Sequence, residues 1–492
     1  MRILEKKNEL PDGWELAKIK DLVFEPKQEI VDGPFGSNLK STEYVEKGIP
    51  FIRLQNVSRN QFVNKNIKYI TKEKSKQLTR HNFKNQDIVL TKLGDPLGEA
   101  CIVPDYFPNG VIVADIIRIR LNHELISKKF LMYLINSDKI IQQFKKYTKG
   151  TTRPRVNLTQ VRNFDVQIPP LNEQQRIVAK IEELFSHLDH QTNLINQNIR
   201  LLQSFEKSIL RDTFSGKLTK VFRETHSCGD PQILLNKIKE ERKSKNLVNI
   251  PEEIPENYDS EKNWRFSSLG FITQNFDGKR IPVSKTKRKD MKGDFPYYGA
   301  SGIIDYVNRP LFKGKYLLIG EDGANLLARS TPIAFIADGE FWVNNHAHVL
   351  QTLGGVDLEY LSYFINSIDL SEWISGTAQP KLNQRNMSKI PIPIPSLEEQ
   401  EEIKKIIHQN LSIIKKQSDT LKKLISHILI LKMSILNHAF EGKLVPQDPN
   451  DESAEILLEK IKQEQQQYEE KIKKEKQQLK QKQKTKRSRK NV

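Results

Sequence analysis

The segment "IPPLNEQQRIV" at residues 168–178 decides the organisation of this chain, because nearly the same segment, "IPSLEEQEEIK", returns at residues 394–404. The offset of 226 residues holds without a gap from Gly150 to Leu218. Identical pairs at this offset are Gly150 and Gly376, Pro154 and Pro380, Asn157 and Asn383, Glu173 and Glu399, and Gln174 and Gln400. A match of this length within one chain indicates an internal duplication.

The duplication continues more weakly on both sides of this segment. Upstream, "FLMYLINS" from Phe130 resembles "YLSYFINS" from Tyr360, and downstream "ILLNKIK" from Ile233 resembles "ILLEKIK" from Ile456. Each half is therefore a variable domain followed by a nearly repeated helical segment. We predict a first domain at 1–168, a helix at 169–216, a linker with a short helix at 217–261, a second domain at 262–394, a second helix at 395–442, a C-terminal helix at 443–470 and a basic, disordered tail at 471–492.

Both long helical segments carry apolar residues at alternating steps of three and four, the pattern of a coiled-coil seam. Gln191 and Gln417 interrupt the two seams at the same position, either as a buried polar pair or as a break that faces water. The two helices either pack against each other, which we favour, or each packs only on its own domain. The predicted seam is Ile181, Leu184, Leu188, Ile195, Leu202, Phe205 and Ile209 in the first helix, and Ile407, Ile414, Leu421, Leu424, Ile428, Leu431 and Ile435 in the second.

The ends of these helices are marked by residues that start and stop helices. Prolines at 169–170 and at 393 and 395 impose extended chain before each helix. Ser396 and Glu399 fit a capping box, and Asn172 is the candidate cap in the first copy. Gly216 and Gly442 fit C-terminal stops.

The variable domains alternate short β-rich runs with turn signals, and each closes on an amphipathic helix. Examples of the β-rich runs are "DIVLTKLG" at 87–94 and "KYLLIGEDG" at 315–323. We predict that each domain is an α/β unit built on a twisted, mostly antiparallel sheet.

Composition narrows the possible functions. The formal net charge is +18, but residues 471–492 alone contribute +10, so charge by itself does not establish nucleic-acid binding. Cys101 and Cys228 are too few for a disulfide framework or a zinc knuckle. The first ten residues lack the apolar region of a secretory signal, and no run approaches a membrane span, so we expect a cytoplasmic protein.

The chain lacks the common motifs of catalysis. We find no Gly-rich dinucleotide fingerprint, no phosphate-binding GxxxxGK[ST] loop and no Asp/Asn-Pro-Pro-Tyr/Phe motif of amino-methyltransferases. His346 and His348 share one strand face, but no third ligand lies near them in sequence, so we predict no metal site. The simplest interpretation is a chain with no catalytic residues.

Basic and polar loops in both domains instead favour DNA. Lys and Arg neutralise phosphates, whereas Arg, Asn and Gln can contact base edges through paired hydrogen bonds. Each of these residues taken singly could also belong to a solvated loop. The predicted DNA-binding residues are Lys40, Arg53, Gln55, Asn56, Lys92, Arg153 and Arg155 in the first domain, and Lys279, Arg280, Lys285, Lys287, Arg288, Lys289, Asn344 and Asn345 in the second.

The segments "FPYYGASGIIDYV" at 295–307, "LLIGEDGA" at 317–324 and "VNNHAHVL" at 343–350, together with the repeated junctions "PPLNEQ" and "PSLEEQ", resemble the specificity subunits of type I restriction–modification systems. The resemblance implies an α+β chain with two target recognition domains, separated by two long antiparallel coiled-coil helices in a pseudo-two-fold repeat. It also implies that the repeated helical segment serves as a docking surface for two identical partner subunits.

The resemblance further implies double-stranded DNA, two methylation subunits and two restriction subunits as partners. This chain would read a bipartite asymmetric site and bind no cofactor. S-adenosylmethionine, ATP and Mg²⁺ would act in the partner subunits, which methylate adenine and cleave DNA. The alternatives are a stand-alone methyltransferase or nuclease with a cryptic site, and a coiled-coil scaffold whose basic loops are incidental.

Overall fold

The computed structural model describes residues 10–34, 38–94, 96–148, 154–248, 250, 264–376 and 379–488, with side chains described up to residue 474. The chain divides into two compact units. Unit 1 combines residues 1–194 with 424–492, and unit 2 is the continuous stretch 195–423. Among the described residues, no helix is both long enough and apolar enough to span a membrane.

The domain in unit 1 (domain 1) contains two four-stranded sheets. One has the order β2-β11-β8-β9 and the other β6-β3-β10-β7, while β1 pairs with β12 and β4 with β5. Only β3 and β10 run parallel among these pairs. The strands are β1 Glu15–Lys18, β2 Ile30–Asp32, β3 Ile49–Ile52, β4 Val57–Ser58, β5 Gln61–Phe62, β6 Lys68–Ile70, β7 Asn82–Phe83, β8 Ile88–Thr91, β9 Ala100–Ile102, β10 Gly110–Ile112, β11 Ile116–Ile119 and β12 Asp165–Ile168.

The domain in unit 2 (domain 2) repeats the topology of the two four-stranded sheets and of the β1-β12 pair, and among its described residues the β4-β5 pair has no counterpart. Its sheets have the orders β14-β21-β18-β19 and β16-β15-β20-β17, with β13 paired to β22. Among the described strands of this domain, β15 with β20 is again the one parallel pair, so the prediction of mostly antiparallel sheets is confirmed. The strands are β13 Arg265–Ser268, β14 Thr273–Asn275, β15 Lys292–Gly299, β16 Gly302–Val307, β17 Phe312–Lys313, β18 Tyr316–Gly320, β19 Ala334–Ala337, β20 Glu340–Val343, β21 Ala347–Thr352 and β22 Pro391–Ile394.

The α-helices complete both units. They are α1 Pro26–Glu29, α2 Lys72–Gln77, α3 Lys128–Ile135, α4 Asp138–Thr148, α5 Leu158–Arg162, α6 Leu171–Phe214, α7 Lys220–Thr225, α8 Pro231–Ser244, α9 Leu269–Ile272, α10 Lys285–Lys289, α11 Asn325–Ala328, α12 Leu358–Ser367, α13 Gln384–Ser388, α14 Leu397–Phe440 and α15 Ala454–Ser488. The C-terminal helix, Ala454–Ser488, begins later than the predicted residue 443 and continues past residue 470, so residues 471–488 are helical and not the predicted disordered tail.

The repeated Glu-Gln pair anchors each long helix to its domain. In domain 1 the indole N–H of Trp14 donates to both carboxylate oxygens of Glu173 at 3.1 Å. The side chain of Gln174 donates to the carbonyl of Pro169 and accepts the backbone N–H of Ser127, the N-cap residue of α3. The first strand, the closing helix and the long helix therefore meet at two buried polar side chains.

Domain 2 repeats these contacts. Trp264 donates to Glu399 at 2.8 Å, and Gln400 bonds the carbonyl of Pro395 and the backbone N–H of Asp357, the N-cap of α12. Glu399 gains two further partners, the hydroxyl of Thr219 and the guanidinium of Arg223. The Glu-Gln motif is thus internal in both units, which corrects the interpretation of this part of the repeat as a partner-docking surface.

The predicted helix signals are partly correct. Ser396 accepts the backbone N–H of Glu399 at 3.2 Å, but the Glu399 carboxylate bonds Trp264 instead of closing the capping box. Asn172 lies inside α6 and is not its cap. Gly216 and Gly442 have φ of 73° and 71° just beyond the two helix ends, a left-handed conformation that favours glycine.

The two long helices run antiparallel within each unit. In unit 1, Lys432 pairs with Asp189 at 2.6 Å and lies 5.0 Å from the ring of Phe185. Near the ends of the same helices, Ile177 and Phe440 share one apolar core. In unit 2, Ile403 and Ile407 at the start of α14 pack beside the end of α6.

Ten of the fourteen predicted seam residues face inward, and the other four are displaced by one residue. The inward positions Ile181, Leu188, Ile195, Leu202 and Ile209 are buried or half-buried, as predicted, and so are Ile407, Ile414, Leu421, Ile428 and Ile435. The alternate inward positions are Phe185, Thr192, Ile199 and Glu206, with Leu411, Ser418, Ile425 and Lys432 in the second helix. Phe205, Leu424 and Leu431 are about half exposed, and Leu184 is only partly buried.

The displacement has a simple cause. Adjacent apolar residues such as Leu184 and Phe185, or Leu424 and Ile425, allow two heptad registers in the sequence. Packing selects the register that places Gln191 and Gln417 outward, and both glutamines are exposed. They are therefore breaks that face water, not a buried pair.

The helices that follow the two long helices occupy equivalent places. Leu234, Leu235 and Ile238 of α8 enter the core of unit 2. Ala454, Leu457 and Ile461 of α15 enter the core of unit 1. The weakly repeated "ILL(N/E)KIK" segments thus each complete one unit.

We predict that Glu399→Gln destabilises the protein more than Glu173→Gln does. Glu399→Gln removes the charge that partners the mostly buried Arg223 guanidinium, so we expect a loss of about 2–3 kcal/mol. Burial raises the pKa of Glu173, partly offset by the Trp14 hydrogen bond. Because that pKa is raised on folding, ionisation of Glu173 costs stability as pH rises, and Glu173→Gln should gain relative to wild type between pH 4 and 7.

Scanning calorimetry of both variants at pH 4, 5.5 and 7 would measure these differences. Equal losses at pH 7 would show that Arg223 contributes nothing at Glu399. A Glu173→Gln effect that does not change with pH would contradict the raised pKa.

Candidate nucleic-acid interface

Two adjacent clefts lie on domain 1 beside Ala114. One, of about 380 Å³, is lined by Arg53, Gln55, Asp115 and neighbouring residues. The other, of about 650 Å³, is lined by Lys92, Arg155 and residues 156–160. The structure therefore brings four of the predicted residues of domain 1 to one region, with Lys40 exposed on the loop that leads into it.

The side chains in this region divide into exposed and structural groups. Gln55 is exposed, but Asn56 is fully buried, where its amide bonds the backbone of Arg53, Val63 and Lys65. The Arg53 guanidinium donates to the carbonyl of Asn66. Asn56 thus closes the 57–65 hairpin, which corrects its assignment as a base reader.

Lys92 and Arg155 differ in the same way. Lys92 pairs with Asp32 at 2.5 Å, and its side chain is only 10% exposed. Arg155 pairs with Asp115, but its side chain is 55% exposed. Lys92 therefore neutralises a half-buried carboxylate at the end of β2, whereas Arg155 remains open to a ligand. Arg153 lies outside the described residues.

In domain 2, Arg280 belongs to a buried charge network. It pairs with Glu321 at 2.7 Å and with Asp277 at 3.4 Å, and donates to the carbonyl of Ala347. Its side chain is 13% exposed, which corrects its assignment as a DNA contact. Lys381 completes the network through Glu321 at 3.1 Å.

His348 lies at the centre of this network. Nδ1 faces Asp277 at 2.5 Å and Nε2 faces the carbonyl of Leu382 at 2.7 Å, so both ring nitrogens donate only when the imidazole is protonated. Burial pushes the pKa of Asp277 upward, but the hydrogen bond and charge of His348, the backbone N–H of Val349 and the charge of Arg280 together lower that pKa. The pKa of Glu321 is likewise lowered against burial, mainly by Arg280.

Asp277, Glu321 and His348 lie close enough to share a cation, with two ligands that come from distant parts of the sequence. Arg280 and Lys381 already neutralise Glu321, and both ring nitrogens of His348 have protein partners. The arrangement is that of an ion-pair network. His346 is not part of this group and instead pairs with Asp322 at 2.8 Å.

The basic run at 285–289 forms helix α10, capped by Ser284. Lys285, Lys287 and Lys289 are exposed. Arg288 instead pairs with Asp305 at 2.8 Å, donates to the carbonyl of Val283 and lies 4.8 Å from the ring of the buried Tyr297. Arg288 therefore fastens the helix to β15 and β16, which corrects its assignment as a phosphate contact.

The remaining predicted residues of domain 2 include both exposed side chains and a buried, structural one. Lys279 is exposed over the ring of Phe276 at 5.1 Å. Asn344 is buried and accepts the backbone N–H of His346, a correction to its predicted contact with DNA, whereas Asn345 is exposed.

Sequence reasoning missed two exposed cations of domain 2, Lys381 and Arg385. They lie in "GTAQPKLNQR", the second copy of the 150–159 segment, where Lys381 stands at the position of Arg155. The offset of 226 residues, applied to the basic residues of the first copy, would have found Lys381.

A chain with two copies of one mixed-sheet domain, each joined to a long helix and each with exposed basic and polar loops, is built as a two-domain DNA-specificity protein. The family model "Type I restriction modification DNA specificity domain" matches residues 11–200 and 261–424, well over half of the chain. The chain therefore belongs to the family of type I restriction–modification specificity subunits. Such subunits are not catalytic, and catalysis lies in their partner subunits.

Curated relatives agree with this assignment. A putative type I restriction enzyme specificity subunit of Haemophilus influenzae is 34% identical over 148 residues, which cover 30% of this chain and 37% of that protein. The putative MjaX specificity subunit of Methanocaldococcus jannaschii is 23% identical over 459 residues, which cover 89% of this chain and 95% of that protein.

A solved structure shows the same fold. It comes from a study of complex assembly and conformational transition in the type I restriction–modification system. It is 18% identical, covers 88% of this chain and 99% of that chain, and superposes with a TM-score of 0.60. The domains are called recognition domains 1 and 2 below.

We predict that Arg288→Ala and the triple change of Lys285, Lys287 and Lys289 to Ala have opposite signatures. Arg288→Ala should lower the free energy of unfolding by about 1–3 kcal/mol, since it removes an ion pair and a ring contact. The triple change should leave stability within about 0.5 kcal/mol. It should reduce the slope of log affinity against log salt by about 0.9 for each phosphate that the lysines no longer neutralise.

Urea unfolding and salt titrations of DNA binding measure the two effects. An unchanged salt slope in the triple variant would identify the lysines as a merely solvated face. Unchanged stability in Arg288→Ala would show that the helix is not fastened by this residue.

Proposed function

We propose that this chain selects DNA for a type I restriction–modification complex by reading a bipartite, asymmetric site, one half with each recognition domain. The observation that carries the proposal is that two domains of one topology present different side chains at equivalent positions. Strand register aligns Ala114 with Asn345 and Asp115 with His346. Equivalent backbone hydrogen bonds support this alignment: the N–H of Lys92 donates to the carbonyl of Asp115, and the N–H of Glu321 donates to the carbonyl of His346. Equal scaffolds with unequal reading groups suit two different half-sites.

The long helices supply the surface for the partner subunits in this proposal. In unit 2 a mostly apolar groove of about 710 Å³ runs between them, lined by residues that include Leu201, Phe205, Ile413 and Leu421. In unit 1, Leu194, Leu424, Leu429, Ile430 and Leu431 are exposed along the same helices. Apolar side chains that face outward beside a filled seam are suited to further helices.

The partners we propose are two methylation subunits, which dock on these helices, and two restriction subunits, with double-stranded DNA as the common ligand. S-adenosylmethionine, ATP and Mg²⁺ act in those partners, and this chain holds none of them. The partners methylate adenine and cleave DNA in an ATP-dependent reaction, and this chain selects the DNA site to which the complex binds. The curated relatives are named as specificity subunits of such restriction enzymes, which supports the proposal.

We predict that the chain with its methylation subunits modifies adenines in a motif of two short specified sequences separated by an unspecified gap. Exchanging residues 264–376 for the corresponding domain of another specificity subunit should change one half of the motif and leave the other half unchanged. Sequencing that detects methylated adenine measures both outcomes. A continuous motif, or one that changes in both halves, would contradict reading by separate domains, and methylation without partners would favour the stand-alone enzyme.

We also predict that substitutions in the helix seam reduce stability, whereas substitutions on the outer face of the helices reduce only assembly with the partners. Phe205→Asp and Leu431→Asp place charges on exposed positions, so the chain should keep its melting temperature but lose binding to the methylation subunits. Leu202→Asp and Ile428→Asp place a charge in the seam and should cost several kcal/mol. Calorimetry and size-exclusion chromatography of the mixed subunits distinguish the two classes. Normal assembly of Phe205→Asp and Leu431→Asp would remove this surface from the proposal.

A further inference from the structure

We propose that Arg155 and Lys381 are equivalent contacts to the DNA backbone, one in each recognition domain, which bind phosphate whatever bases the neighbouring loops read. The proposal rests on the proposed function, because it names the chemistry of one contact within it. It concerns two side chains whose backbone settings are the same in both units.

The equivalence of the two positions is structural as well as sequential. Arg155 forms an isolated β-bridge with Leu93, and Lys381 forms the corresponding bridge with Asp322. On one side of these bridges, Gly94 N–H bonds Pro154 and Gly323 N–H bonds Pro380. On the other side, Val156 N–H bonds Lys92 and Leu382 N–H bonds Glu321. The same short ladder therefore holds a cation at the end of the same central strand in each domain.

The carboxylate that accompanies each cation is not repeated. Arg155 pairs with Asp115, whose equivalent in domain 2 is His346. Lys381 pairs with Glu321, whose equivalent in domain 1 is Lys92. The duplication therefore preserved the cation but not its carboxylate partner, so it did not preserve an ion pair. The amine of Lys381 and the guanidinium of Arg155 are themselves exposed, so their ion pairs stabilise the protein little. Glu321 also keeps Arg280 as a partner when Lys381 turns to another anion, so a phosphate can replace either carboxylate at small cost.

Each cation stands over a network that fixes the strand ends beneath it. In domain 1 this is the pair of Asp32 and Lys92, and in domain 2 it is the group of Asp277, Glu321, Arg280 and His348. Register places Asp277 at the position of Asp32, so the two networks occupy the same site in the fold. The buried charges hold the ladder, while the side chains of Arg155 and Lys381 are 55% and 51% exposed.

The surroundings favour DNA over a partner subunit as the ligand. Two identical protein partners would require repeated neighbours as well as a repeated cation, but Asp115 and His346, or Ala114 and Asn345, are unlike each other. Two unrelated half-sites share only their sugar-phosphate backbone. A cation that both domains share, surrounded by side chains that they do not share, is therefore suited to bind phosphate.

The test uses the full chain assembled with its methylation subunits, and four DNA duplexes that carry the whole methylated motif, either half-site alone, or neither half-site. Arg155→Ala and Lys381→Ala should each weaken binding to all four duplexes by the same factor and reduce the salt slope by about 0.9, and the double variant by about 1.8. The methylated motif should not change. Arg155→Lys and Lys381→Arg should restore the wild-type slope, and all variants should keep the wild-type melting temperature.

Three outcomes would overturn the proposal. An unchanged salt slope would leave the cations without a phosphate partner. A relaxed motif in one half-site would make that residue a base reader. Loss of the methylation subunits from the variant complex would make it a protein contact. Failure of the proposed function is separate, because it would appear in the wild-type complex as methylation without a bipartite motif.

Discussion

The structure depends on one arrangement, a buried glutamate and glutamine at the first turn of each long helix. The glutamate accepts the indole N–H of a tryptophan at the start of the first strand, and the glutamine bonds the start of the domain-closing helix. Buried polar groups destabilise a protein unless all their hydrogen-bond partners are in place. The hydrogen bonds of this junction are satisfied in a single orientation of the long helix on its domain. The duplication preserves it because each recognition domain must be fixed to its helix in the same way.

The same principle separates the basic residues of the two domains. Where the cation itself is mostly buried against a carboxylate, as Lys92, Arg280 and Arg288 are, its charge is already paired inside the protein. Where it remains exposed, as at Lys287, Arg155 or Lys381, the charge is available to a polyanion. Net charge and loop composition do not distinguish these groups, since the distinction lies in which acidic residue the fold brings near.

The helix pair shows how packing turns one sequence pattern into two surfaces. Apolar residues at neighbouring positions fill the seam on one side and remain exposed on the other. An outward apolar face costs a free chain little, yet in a complex it can bury further area against partner helices. The ion pair of Lys432 with Asp189 and its contact with Phe185 show that a lysine can occupy an inward position when its amine reaches a carboxylate.

The sequence by itself determined the duplication, the two mixed domains, the two long helices, their glycine stops and the resemblance to the family. These features are local or periodic, and a repeat at constant offset records them directly. Only the tertiary structure decided which register the seam adopts, because Leu184 and Phe185 are equally apolar. It alone decided that Arg280 and Arg288 are structural, because their acidic partners Glu321 and Asp305 are distant in sequence. It also decided that Asn56 and Asn344 are structural, because packing buries both side chains against local backbone groups. Polar side chains take their role from the nearest complementary group in space, and that group is set by the fold.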